Sequence, residues 1–178
     1  MDIKKEILFK GDHVSLIRAF NYEMIDEPDI VLIIPILSES KKVGIRSEFC
    51  PPYQMKDEKD LNWYTAMTGK IEKGEYKVDA VKRELQEEAG VTLSDRDDIE
   101  LLAENIPCCK STTLRASVYL VNLYEPSLIF NTPSGDGTEF EAKSKTLWLT
   151  KEEILHLMVG SNSDLLLYLV GLFSTKIL

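Results

Sequence analysis

Residues 69–91 read GKIEKGEYKVDAVKRELQEEAGV, and the rest of the chain is organised around this stretch. Glu84, Glu87 and Glu88 stand at spacings i, i+3 and i+4. On a helix, those spacings put three carboxylates on one face, within about 6 Å of each other. Gly90 is a natural helix stop, so the acids crowd the last turns. That end of a helix is its negative end, and an anion there is unfavourable by roughly 0.3–1 kcal/mol. Like charges at these spacings add to the cost. A sequence selected only for helix stability would carry lysines there. A hard divalent cation, ligated by carboxylate oxygens, reverses the sign of each of these effects.

The helix is expected over Lys77–Ala89, with Val78, Val81, Leu85 and Ala89 as an apolar stripe beside the carboxylate face. Its start is poorly capped, because Tyr76 stands where Ser or Thr is preferred. Upstream, residues 3–9 and 13–20 alternate enough to form two short strands, with 10–12 as their turn. Residues 30–37, IVLIIPIL, read as a buried strand, with Pro35 indicating an edge or a bulge. Further strands are expected over 42–49 and 62–67, separated by a polar loop at 51–60. Downstream, 100–105, 115–124 and 145–149 read as strands, and 131–138, NTPSGDGT, as a turn-rich loop. Thr150 and Glu153 make a capping box for a helix over 151–159, and a last helix starts at 161–164. The pattern is α/β: a mixed sheet with few helices, in one domain spanning 1–178.

Net charge is −9 over 178 residues, which argues against sequence-independent binding of a long nucleic acid. Three cysteines, Cys50, Cys108 and Cys109, show neither a disulfide framework nor zinc spacing, and suit a reducing, cytoplasmic compartment. The N-terminus lacks an apolar signal region. The apolar C-terminal segment, DLLLYLVGLF from Asp164, is too short to span a membrane, which takes about 20 residues. It is apolar on all sides, so it is expected either in the core or against a second copy in a homodimer.

Gly69, Glu75, Arg83, Glu84, Leu85, Glu87, Glu88, Gly90 and Val91 fill every defined place of G-x5-E-x7-R-E-U-x-E-E-x-G-U, where U is bulky and apolar. The stretch resembles the Nudix signature. From about residue 31 to 154 the chain is similar to the ADP-ribose pyrophosphatase branch: RSEFCPP at 46–52, Pro107, and the late loop Gly135-Asp136-Gly137-Thr138-Glu139 carry that likeness. The resemblance implies an α/β/α sandwich around a mixed sheet. It also implies Mg²⁺-dependent (or Mn²⁺-dependent) hydrolysis of a nucleoside diphosphate linked to another moiety. By resemblance, Glu84, Glu87 and Glu88 ligate the metal, the Thr68 carbonyl completes the shell, and Arg83 orients a carboxylate. Glu75 is either an outer ligand or a structural hydrogen-bonder. The general base comes from the late loop or the box, with Glu139 first and Glu141 second, and Glu88 and Arg83 belong to the same catalytic group.

Trp63 and Tyr53 are candidates to stack on a nucleobase, although Trp63 suits the core equally, and Trp148 reads as core. Arg46 is either a bidentate phosphate partner or a surface residue. His13 and His156 are isolated and read as structural or exposed. The substrate-facing rim departs from the branch. Thr65-Ala66-Met67-Thr68-Gly69 stands in place of Glu-x-Pro-Ala-Gly, Cys50 in place of an arginine, and Cys108 in place of a glycine. ADP-ribose or a nucleoside diphosphate sugar is the first expectation. A nucleoside triphosphate pyrophosphatase and a non-catalytic nucleotide sensor are the alternatives.

Overall fold

The computed structural model describes residues 4–51, 55, 62–135, 143–160 and 162–177. Three strands form a small antiparallel sheet at the N-terminus: β1 (Glu6–Lys10), β2 (Ser15–Ala19) and β3 (Tyr22–Asp26). A seven-stranded mixed sheet follows. Its members are β4 (Ile30–Leu37), β5 (Val43–Glu48), β6 (Trp63–Thr65), β7 (Met67–Lys70), β8 (Asp98–Pro107), β9 (Arg115–Leu123) and β10 (Lys145–Leu149). Among the described residues, the fully described helices are α1 (Lys77–Ala89), α2 (Lys151–Met158) and α3 (Leu165–Ile177).

The main order is β10-β5-β4-β9-β8, with β6 on β5 and β7 on β4. Only β4 and β9 run parallel among the named pairs. The period-2 alternation of β4 splits its side chains between two cores. Val31 and Ile33 pack with Val81, Leu85 and Ala89 of α1. Leu32, Ile34 and Ile36 pack with Ile154 of α2 and with Leu167 and Val170 of α3. The result is the expected α/β/α sandwich, with α1 on one face of the sheet and α2 and α3 on the other.

Four features differ from the sequence reading. Pro35 lies in the central strand, not at an edge. The Leu37 N–H, two residues on and so on the same side of the strand, points to Lys42 of the β5 hairpin. Pro35 therefore turns its donor-less nitrogen to the stretch where β4 passes from β7 (last pair Ile33–Met67) to β5 (first pair Ile36–Val43). The strand expected over 62–67 is broken at Ala66, because the chain crosses from pairing with β5 to pairing with β4. A third N-terminal strand, β3, joins β2 through Phe20 and Asn21, both at positive φ (52° and 59°). That is the primed hairpin geometry usually marked by Asn-Gly, and Phe-Asn hides it. Val78 is exposed in the first turn of α1, and Ala80 takes its place in the core.

The caps follow the sequence. Thr150 and Glu153 form the reciprocal capping box of α2. Asp164 caps α3, its carboxylate accepting from the Leu166 and Leu167 N–H groups at 3.0 and 3.1 Å. Helix α3 buries Leu167 and Val170 but leaves Leu165 and Leu172 exposed. Within the described residues, no helix is long and apolar enough to cross a membrane.

Candidate active site

Helix α1 starts without a side-chain cap at Tyr76 and ends at Gly90, which adopts the left-handed conformation (φ 67°). Its apolar face seats it on the sheet, and the same seating draws two of its acids inward: Glu84 and Glu88 are both nine-tenths buried. Strand β7 runs alongside. Gly69 sits so close to Glu84 that a Cβ there would lie 2.0 Å from the carboxyl carbon. The absence of a side chain at Gly69 is what lets Glu84 cross in front of β7.

These elements enclose an open cleft of about 370 Å³. Thr68, Gly69, Arg83, Glu84, Glu87, Glu88 and Gly135 line it. Small-ligand sites commonly measure about 300–1,000 Å³. Arg83 is the hub of the carboxylates. Its Nε and Nη2 donate to the two Glu75 oxygens at 3.0 and 3.1 Å. Its Nη1 donates to Glu84 at 2.5 Å and to Glu87 at 3.1 Å, and Nη2 also reaches the Lys70 carbonyl at 2.8 Å. Glu75 further accepts from the Glu72 N–H at 2.9 Å. Of the two roles open to Glu75, this conformation fills the structural one.

The electrostatics follow from this geometry. Hydrogen bonds from Arg83 hold the Glu75 carboxyl below its ordinary range, and Glu75 in turn raises the Arg83 pKa. Burial pushes Glu84 up, and the charge of Glu87 adds to that, while Arg83 opposes both. Four carboxylates, those of Glu75, Glu84, Glu87 and Glu88, thus share the guanidinium groups of Arg83 and Arg46. The surplus is negative and made of hard oxygen donors, the chemistry that Mg²⁺ and Mn²⁺ prefer. Among the described residues no three acids already form a metal cage, since Arg83 holds Glu84 and Glu87 while Glu88 lies toward Arg46. The donor set fits a divalent cation by chemistry, and Glu84 and Glu87 would exchange Arg83 contacts for it.

The surface reading of Arg46 does not hold: it is 1% exposed, beneath the end of α1. Its Nη1 donates to the Glu88 carbonyl at 3.0 Å and to Thr146 Oγ1 at 3.1 Å, and its Nε to Glu48 at 3.3 Å. Thr146 and Asn131 were not legible as site residues, because their roles come from contacts with α1 across 40 residues or more of chain. Trp63 is half-buried on β6 opposite Glu48 and does not line the acidic cleft. Trp148 packs on the α1-side core and meets Phe130 edge-on at 5.6 Å. His13 and His156 are exposed and lie outside the cleft. Tyr53, Glu139 and Glu141 lie outside the described residues. Gly135, four residues before Glu139 in the chain, donates its N–H to the Glu87 carbonyl at 3.1 Å.

A family model described as the NUDIX domain matches residues 28–169. The chain belongs to the Nudix family. A comparison with curated proteins returned no match. The Nudix match spans α1, the acidic cleft and most of both cores, ending within α3, and starts just after β3, so the small N-terminal sheet lies outside it. Membership makes the chain a Nudix hydrolase, of the pyrophosphohydrolase type in general, with a small nucleotide as the expected kind of substrate. Nudix hydrolases generally use divalent ions such as Mg²⁺.

Proposed function

We propose that this Nudix hydrolase cleaves the diphosphate bond of a nucleoside diphosphate linked to another moiety, with ADP-ribose or a nucleoside diphosphate sugar as first substrates. The observation that carries the reading is the gathering of Glu84, Glu87, Glu88 and Thr68 on one cleft, with Arg83 tied into the same carboxylates. In this reading Glu84, Glu87 and Glu88, with the Thr68 carbonyl, hold Mg²⁺ or Mn²⁺. The cation offsets the charge of the diphosphate and lowers the pKa of the attacking water.

The protein's own residues set the stage for that step. Glu75 fixes Arg83, and Arg83 donates hydrogen bonds to the carboxylates of the buried Glu84 and the half-buried Glu87, opposing the upward push of burial on Glu84. Glu139 takes the proton from water, with Glu141 next in line. Supporting this, Gly135, four residues before Glu139 in the chain, lines the cleft. Tyr53 and Trp63 remain candidates for the nucleobase. The spacing of the three cysteines, with no disulfide framework in the sequence, accords with a reducing compartment such as the cytoplasm.

Product identification after incubation with Mg²⁺ and a panel of nucleotides tests the reading. AMP plus a sugar phosphate supports it. A nucleoside monophosphate plus pyrophosphate would assign a triphosphate pyrophosphatase instead. Binding without turnover of any nucleotide would leave a sensing module.

A further inference from the structure

The last carbonyls of a helix have no partner within it and must find one elsewhere. In α1 they find specific ones. The Glu87 carbonyl accepts from the Gly135 N–H at 3.1 Å, and the Gly90 carbonyl accepts from the Asn131 N–H at 2.9 Å. Between them, the Glu88 carbonyl accepts from Thr146 Oγ1 at 2.8 Å and from Arg46 Nη1 at 3.0 Å. Arg46 also donates to Thr146 Oγ1 at 3.1 Å, which closes a triangle and leaves the hydroxyl proton directed at Glu88. Arg46 and Thr146 are cross-strand partners in the β5–β10 register, so the central sheet itself sets this triangle. The same guanidinium comes within 3.7 Å of the Glu88 carboxylate. It therefore addresses both ends of Glu88, and its charge offsets the negative end of the helix.

We infer that Arg46 and Thr146 are positioning residues: they fix the Glu88 peptide and so aim its carboxylate into the cleft. The inference rests on the reading of Glu88 as a metal ligand given above. Substitutions that loosen a ligand's support commonly weaken metal affinity by roughly 10–100-fold.

Mn²⁺ titrated calorimetrically into the metal-free 178-residue chain tests this, with thermal melting in a chelator alongside. Thr146→Val keeps the β-branched shape that suits β10 and removes only the hydroxyl. The expected result is a Mn²⁺ dissociation constant about tenfold higher than in the parent, with a largely preserved melting curve. Thr146→Ser restores near-parent binding. Arg46→Lys, which keeps the charge but loses the fork, also weakens Mn²⁺. Parent-like Mn²⁺ binding by a folded Thr146→Val chain overturns the inference while leaving the metal site standing. Failure of the parent itself to bind Mn²⁺ overturns both.

Discussion

Arg83 and Glu75 meet fork to fork: Nε donates to Oε1 at 3.0 Å and Nη2 to Oε2 at 3.1 Å. This pair anchors the start of the signature to the helix that carries its acids. Glu75 is held below the ordinary carboxylate value of 4.5, chiefly by hydrogen bonding from Arg83. A carboxylate with a depressed folded pKa stabilises the fold above its unfolded pKa and loses that contribution as pH falls through the folded one. Glu75→Gln should cost about 1 kcal/mol at pH 7. The gap between parent and variant melting temperatures, measured in a chelator, should narrow as pH drops below the ordinary value of 4.5. A gap independent of pH would mean that the charge of Glu75 is not what matters.

Gly69→Ala should separate stability from function. The added Cβ would lie 2.0 Å from Glu84 side-chain atoms, and that side chain can swing away. The chain should fold, with Glu84 displaced from the cleft. Misplacing a catalytic-site group by about 1 Å can cost 10²-fold, and a turnover loss of that order is expected. Near-parent turnover would show that Glu84 need not cross β7.

Gly90→Ala should act on stability instead. Gly90 has φ 67°, and a Cβ would meet the Asn131 carbonyl oxygen at 2.0 Å. The left-handed conformation alone costs an L-residue roughly 1–2 kcal/mol. In a chain of this size, each 1 kcal/mol lowers the melting temperature by about 2–4 °C. A drop at or beyond that scale is expected, because backbone yields less readily than a side chain.

The sequence spoke most clearly where chemistry demands fixed spacing. Glu84, Glu87 and Glu88 can share a helix face at only a few offsets, and the structure brings all three to one cleft with Thr68 and Arg83. The apolar run of β4 and the capping box at Thr150 were legible because both are local patterns. Strand β3 was hidden because Phe20 and Asn21 adopt positive φ without the glycine that normally announces it. The burial of Arg46 was hidden for a different reason. Its main partner is a carbonyl 42 residues away, and its burial depends on how α1 packs on the sheet. Nothing in RSEFCPP records that contact.

Glu139→Gln tests the proposed base. A positioned general base contributes about 10²–10⁴-fold, so turnover should fall by at least the lower figure. The rise of activity with pH should flatten. An unchanged pH profile would move the base to Glu141 or to a glutamate of the signature.

The most direct test of the account compares parent and Glu88→Gln turnover of ADP-ribose and nucleoside diphosphate sugars across a range of Mg²⁺ concentrations. An amide is a poor ligand for a hard cation. The expected result is Mg²⁺-dependent release of a nucleoside monophosphate by the parent, and loss of most of it in a folded Glu88→Gln chain even at saturating Mg²⁺. Near-parent turnover by that variant would contradict the assignment of the acidic cleft as the metal site.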